Sequence, residues 1–260
     1  MLKGKTAIVT GSTSGIGLAI ATVLAEAGCN LVLNGFTDKA TIKNIQDSLQ
    51  NKFGVNTFYS GADMIKPSEI EQMIKDTIKH FNTIDILVNN AGIQHVAPIE
   101  EFPDNKWDAI IGINLSSSFY TIKHAIPQMK KQNSGRIINI ASAHGLVAST
   151  GKAAYVAAKH GLIGLTKVVA LENAQLNITC NSICPGWVLT PLVEQQIKNN
   201  AISHNISIEE ATRALLAEKQ PSLRFVKDMD IGQLVLFLCS EASLSITGTH
   251  VSIDGGWTAQ

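Results

Sequence analysis

The sequence has no net charge to spare: 21 Lys and Arg balance 21 Asp and Glu over 260 residues. Without a basic field it offers little to nucleic acid or to an anionic membrane surface, and a small metabolite fits better as a partner. No uninterrupted apolar run approaches a membrane span, and the start, Met1-Leu-Lys-Gly-Lys-Thr6, runs into a strand pattern with no signal-peptide apolar region. The expectation is a cytoplasmic protein with no membrane partner. Cysteine is scarce. Cys29, Cys180, Cys184 and Cys239 sit in apolar segments, and the Cys180 to Cys184 interval matches neither a zinc nor a redox spacing, so four buried thiols and no metal site are expected. Linkers, internal repeats and low-complexity tracts are also missing, which leaves residues 1–260 as one domain with a large core.

What is present is alternation. Thr6 to Thr10 reads as a β-branched strand, Gly11 to Gly17 as a glycine loop, and Leu18 to Ala27 as a helix closed by Gly28. Further strands are predicted at Asn30–Asn34, Val55–Ser60, Ile84–Asn89, 136–142, 177–183 and Thr249–Ile253. Helices are predicted at 40–52, Pro67–Phe81, 152–173 and 228–239, with one long helix from Trp107 to Lys131 that includes Asn114 and tolerates Pro127. Six or seven strands alternating with helices give an α/β fold, a doubly wound parallel sheet of the Rossmann type. The polar stretch 190–220 interrupts the rhythm and is too long for a connection, which suggests a mobile helical lid over a site.

The glycine loop lies between a strand and a helix. Its glycines allow a tight turn and close approach of a pyrophosphate to the positive end of the helix, although the spacing G-x3-G-x-G is not that of the general dinucleotide fingerprint. Cofactor choice is read after the second strand, where Gly35-Phe36-Thr37-Asp38 brings an acid slightly late. Neither residues 11–17 nor 34–37 carry a cation for a 2′-phosphate, so NAD is expected, with Phe36 covering the adenosine side. Asp63 follows the third strand and is placed either to meet the adenine amine or to cap its local turn. Asn89-Asn90-Ala91-Gly92 leaves room for a sugar or nicotinamide ring against the backbone.

Tyr155 and Lys159 are one helical turn apart and project from one face. A free phenol titrates near ~10, and a neighbouring cation favours phenolate, which makes the pair a usable acid/base; alone, a Tyr-x3-Lys spacing is a common accident. Ser142 ends an apolar strand, where open α/β sheets present their ligands. Lys152 precedes the tyrosine by three residues and shares the face, so two cations and a phenol suit an anionic ligand.

With Thr10-Gly-Ser-Thr-Ser-Gly-Ile-Gly17, Asn89 to Gly92, Asn114, Ser142, Tyr155, Lys159 and Pro185-Gly186 in this order, the whole chain resembles the short-chain dehydrogenase/reductases. The resemblance implies a homotetramer and a catalytic tetrad of Asn114, Ser142, Tyr155 and Lys159. Tyr155 would take the alcohol proton, Ser142 position the oxygen, Lys159 hold the nicotinamide ribose and lower the Tyr155 pKa, and Asn114 anchor a water relay. It further implies cofactor contacts from Gly11, Thr13, Ser14, Gly15, Ile16 and Gly17, and from Asn90, Gly92, Pro185, Gly186, Val188 and Thr190.

More narrowly, Gln94-His95, Ser142-Ala-His144, Lys152, Trp187, Thr190 to Gln196 and Asp254-Gly-Gly-Trp257 are similar to the branch of that family that handles 3-hydroxybutyrate and acetoacetate. That branch implies a small carboxylate held by Gln94, His144, Lys152 and Gln196, with Trp187 and Trp257 around its methyl end. Each has a plainer alternative: a loop hydrogen bond for His144, a solvated lid residue for Gln196, core or subunit contact for the tryptophans. The rivals are a 3-oxoacyl reductase using NADP and a non-enzymatic nucleotide-binding protein.

Overall fold

A computed structural model describes residues 2–259. Seven parallel strands form one sheet: β1 (Thr6–Val9), β2 (Asn30–Asn34), β3 (Thr57–Ser60), β4 (Ile86–Asn89), β5 (Gly135–Ile140), β6 (Ile178–Pro185) and β7 (His250–Ile253), in the spatial order β3-β2-β1-β4-β5-β6-β7. The strand order reverses between β1 and β4, where Val9 pairs with Val88, and in open α/β sheets that reversal places a ligand crevice at the carboxyl ends of the strands.

Alternation along each strand builds two cores. Ala7, Val9, Leu31, Leu33, Ile138 and Ile140 face α1 (Gly15–Glu26) and, late in the chain, α9 (Asp228–Leu238). Ile8, Val32 and Ile137 face the other layer, packing with Ile70, Met73 and Ile74 of α3 (Pro67–Phe81) and with Ile122 and Met129. A one-residue slip would exchange the two sets, and burying each such side chain contributes about 1.5–3 kcal/mol, so the register is strongly held. The helix α2 (Lys39–Phe53) buries only Leu49 and packs at the sheet's edge. The four cysteines are free and buried, and burial raises each thiol, that of Cys184 to about 11.

The long helix expected from Trp107 to Lys131 starts earlier and is two helices. Pro103 precedes α4 (Asp104–Ile111), a π turn spans Gly112–Ser116, and α5 (Ser117–Gln132) continues through Pro127. The π turn is centred on Asn114, whose buried side chain bonds backbone outside the helix, and an inserted residue is the usual way to aim a side chain out of the 3.6-residue repeat. The stretch 190–220 forms α7 (Pro191–His204) and α8 (Ile208–Lys219). Val193, Ile197, Ala201, Ala211 and Leu215 make a small core of their own, and a capping box between Ser207 and Glu210 starts α8. Ahead of them in the chain, α6 (Ala153–Glu172) is 20 residues long with a mean hydropathy of 1.2 in its most apolar window, enough to cross a membrane by length and composition, which an inspection for unbroken apolar runs misses. Here it packs on β6 and brings Tyr155 and Lys159 to the crevice.

Candidate active site

The crevice has a volume of about 760 Å³ and runs from the glycine loop to the lid. At one end, Gly11 and Gly15 hold left-handed backbone, with φ of 64° and 50°. Nothing lies within 4 Å of where a Cβ on Gly15 would be, so the backbone is open to a ligand, whereas a Cβ on Gly17 would collide with the Gly11 carbonyl and come 2.5 Å from Asn90 Nδ2. Asn90 Nδ2 donates to Thr10 O (2.9 Å) and Gly11 O (3.1 Å), tying the loop to the end of β4. Asn34 completes the turn: its Oδ1 accepts from Gly11 N, and its Nδ2 donates to Ser60 O and Ala62 O. Ser14, the N-cap of α1, makes no side-chain bond to the helix, and the first turn holds no acid. The leading amides therefore face the crevice at the positive helix end without a competing carboxylate, a cradle that fits the pyrophosphate of a nicotinamide dinucleotide. Thr13, Ile16, Phe36, Val188 and Thr190 line the same space.

Two carboxylates considered for the adenosine have local duties. Asp38 is the exposed N-cap of α2, accepting from Thr41 N (2.9 Å) and Thr41 Oγ1 (2.6 Å), bonds that hold its carboxyl below the usual value. Asp63 lines the crevice and also caps its turn, accepting from Ile65 N at 3.1 Å. Of its two readings, the turn cap is the one observed. Phe36 is 71% exposed at the rim.

In the centre, Asn114 stands apart from the crevice lining. Its Oδ1 accepts from Ile93 N and its Nδ2 donates to Ile93 O, both at 2.9 Å, so it fixes the loop after β4, next to Gly92 and Gln94. Ser142 lies two residues beyond β5 rather than within it, and its Oγ accepts the His144 amide at 3.1 Å. Lys159 Nζ donates to Ile140 O at 2.7 Å and sits 5.6 Å from the centre of the Tyr155 ring. Burial brings the Lys159 pKa down to about 8. The expectation that Lys159 depresses Tyr155 is not met in this arrangement: burial raises the phenol, and the opposing influence comes from the Ser142 hydroxyl. One of the lysine's three N–H donors is given to the end of the strand, which anchors it beside the ring.

At the lid end, Lys152 is the N-cap of α6 rather than a residue within it, and still shares the crevice with Tyr155. Its Nζ lies 5.2 Å above the centre of the Trp187 ring, and burial lowers its pKa, with Glu218 acting the other way. Among the described residues it forms no ion pair. His144, expected to help hold a carboxylate, is not a cation here. Burial, then Lys152, Lys219 and His160, bring its pKa to about 4, so the ring is neutral at pH 7, with Nε2 2.9 Å from Ser149 Oγ. It can hydrogen-bond a carboxylate but adds no charge. The His144 ring meets Tyr155 edge-on at 5.9 Å and Trp257 at 5.0 Å, and Trp257 stacks on Trp187 at 5.8 Å. Gln94 and Gln196 are exposed side chains that line the same end. Asn34, Gly35, Met64 and Val193 also line the crevice and were not expected there; only Asn34, a polar residue closing an apolar strand, carried a sequence signal.

This arrangement can take up an alcohol proton, hold an anion and bind a dinucleotide. Residues 5–201 match the model of the short chain dehydrogenase family. The chain is 55% identical over 260 residues to the D-beta-hydroxybutyrate dehydrogenase of Cupriavidus necator, covering all of both chains. It is 55% identical over 256 residues to the enzyme of the same name in Rhizobium meliloti, covering 98% of this chain and 99% of the other. Among solved structures, L-sorbose reductase from Gluconobacter frateurii, complexed with NADPH and L-sorbose, superposes with a TM-score of 0.94 at 29% identity, covering all of this chain and 98% of that one.

Proposed function

The chain belongs to the short-chain dehydrogenase family, and from that premise we propose that it interconverts (R)-3-hydroxybutyrate and acetoacetate with NAD. The observation that carries the substrate is Lys152: a half-buried ammonium with no ion-pair partner among the described residues, above Trp187 and in the crevice that holds Tyr155. An unpaired buried cation is unfavourable, and a carboxylate is the ligand group that relieves it. The relatives that carry the substrate's name match the chain end to end.

Lys152 supplies the charge, while His144, Gln94 and Gln196 supply hydrogen bonds that orient the carboxylate. Trp187 and Trp257 form the wall against which a short methyl end packs, and a longer chain would have to displace their stack. Tyr155 takes the C3 hydroxyl proton in the oxidative direction and returns it in the other. Ser142, which lines the crevice beside Tyr155, holds the reacting oxygen against it. The dinucleotide, when bound, supplies the two-electron acceptor. Lys159 keeps a positive charge beside the phenol while protonated, and Asn114 keeps the Ile93 loop in place for a water relay.

NAD rather than NADP is favoured because residues 11–17 and 34–37 bring no cation to a 2′-phosphate. Asp38, engaged as a helix cap, does not carry this choice. We read the assembly as a homotetramer, supported by the exposed apolar side chains Trp107, Phe119, Val168 and Leu171. A cytoplasmic location is supported by four free buried thiols. Closure of α7 and α8 over the crevice would exclude water from the site.

The test is a steady-state comparison of NAD and NADP with (R)-3-hydroxybutyrate as substrate. Turnover with NAD at least tenfold more efficient than with NADP is expected. A preference for NADP would remove the cofactor reading, and no turnover with either would remove the substrate.

A further inference from the structure

We propose that Gln220, which does not itself line the crevice and is none of the catalytic groups, is a positioning residue that sets substrate chain length; the inference rests on the 3-hydroxy-acid reading above. Gln220 caps the C-terminus of α8, where the lid rejoins the body, and is fully buried. Buried amides are retained when both ends are used, and here both are. Oε1 accepts the Trp187 amide at 2.8 Å, and Nε2 donates to Arg224 O. The side chain also fills the space beside two glycines of the substrate end. A Cβ on Gly186 would lie 2.5 Å from Oε1, and a Cβ on Gly255 would lie 2.8 Å from Cγ.

Gln220 therefore joins three segments: the end of the lid, the loop of Trp187, and the turn Asp254-Gly255-Gly256-Trp257. Neighbouring backbone bonds repeat the pattern, with Val226 N donating to Trp187 O at 2.8 Å and Ser222 N donating to Gly255 O at 3.0 Å. The Trp187 ring depends on this anchor because its Nε1, though buried, has no hydrogen-bond partner among the described residues. Its orientation comes from the backbone bond to Gln220, the stack on Trp257 and the ammonium of Lys152. Without the amide, the Trp187 loop loses its link to the lid, and the two indoles can part to admit a longer chain.

The experiment compares wild type with Gln220→Met, Gln220→Asn and Gln220→Glu. Methionine keeps the volume and loses both hydrogen bonds, asparagine keeps the amide but is one methylene short, and glutamate keeps the acceptor for Trp187 but can donate to Arg224 O only when its carboxyl is protonated. Two readouts are taken: the ratio of kcat/KM for 3-hydroxybutyrate to that for 3-hydroxyhexanoate, and the far-ultraviolet exciton couplet of the stacked indoles, which needs no turnover. Gln220→Met and Gln220→Asn are expected to narrow the ratio roughly 10-fold, mainly through KM, and to weaken the couplet, while Gln220→Glu restores both once its carboxyl is protonated. If the methionine variant does not fold, the asparagine variant carries the same expectation. Parallel loss on both substrates with the couplet intact, or a glutamate variant no different from methionine at a pH that protonates its carboxyl, would overturn the inference. A wild type that does not prefer the shorter acid would instead overturn the reading on which it rests.

Discussion

Removing the Lys152 ammonium tests the substrate end most sharply. The side chain sits over Trp187 with no ion-pair partner among the described residues, and burial already lowers its pKa, so a bound carboxylate gains a charge-assisted hydrogen bond in a partly desolvated site. Such bonds are worth about 1.5–3 kcal/mol, and with His144 neutral no second cation in the proposed carboxylate set shares the load. Lys152→Ala should therefore lower kcat/KM for (R)-3-hydroxybutyrate by about 2 kcal/mol or more, roughly 30-fold, while hardly changing the dissociation constant for NAD. Lys152→Met, which keeps the stem on Trp187, separates lost charge from lost packing and should resemble the alanine variant. The assay is initial-rate kinetics with cofactor fluorescence for NAD binding. Loss of less than threefold, or an equal loss on neutral butan-2-ol, would show that no carboxylate meets this lysine.

Other residues carry separate expectations. Tyr155→Phe should abolish measurable turnover with NAD affinity nearly intact, because the ring stays and the proton acceptor goes; activity above about a tenth of wild type would point to another base. Gly17→Ala should weaken NAD binding at least about tenfold in a fluorescence titration, since a Cβ there collides with the Gly11 carbonyl; unchanged affinity would remove the loop from the cofactor site. His144, brought down to about 4 in the folded chain from an ordinary ~6.5, leaves stability untouched above that ordinary value. As pH falls from ~6.5 towards 4 the unfolded chain binds a proton that the folded chain refuses, so the fold loses up to about 3 kcal/mol. Thermal melts across that window should fall less steeply in His144→Gln, and identical slopes would contradict the assignment.

The sheet was legible because most strands are short runs rich in apolar or β-branched residues bounded by turn residues, and α3 was found to the residue at Pro67–Phe81 from its proline start and amphipathic repeat. The π turn was not, because one inserted residue at Gly112–Ser116 leaves the apolar periodicity nearly unchanged. Asp38 was within reach of local rules: an aspartate three residues before Thr41 at the head of a helix is a cap, and the ribose reading looked past it. The crevice residues followed from family motifs, and all of those expected for cofactor and substrate line it. Their charge states did not follow. His144 is neutral and Tyr155 is raised because of burial by β5, α6 and the C-terminal turn, segments far apart in the chain. Gln220 lay outside every motif, and only the contact between the lid's end and two loops gives it meaning.

In the function proposed above, this dehydrogenase selects a short 3-hydroxy acid by its carboxylate. The most direct measurement is the wild-type rate of NAD reduction with (R)-3-hydroxybutyrate set against butan-2-ol, which keeps the secondary alcohol and lacks the charge. A kcat/KM for the acid at least about a hundredfold above that for the neutral alcohol is expected, because a site built around an ammonium leaves it unpaired when the anion is missing. Equal efficiency on the two would contradict the claim and leave a dehydrogenase whose crevice recognises something else.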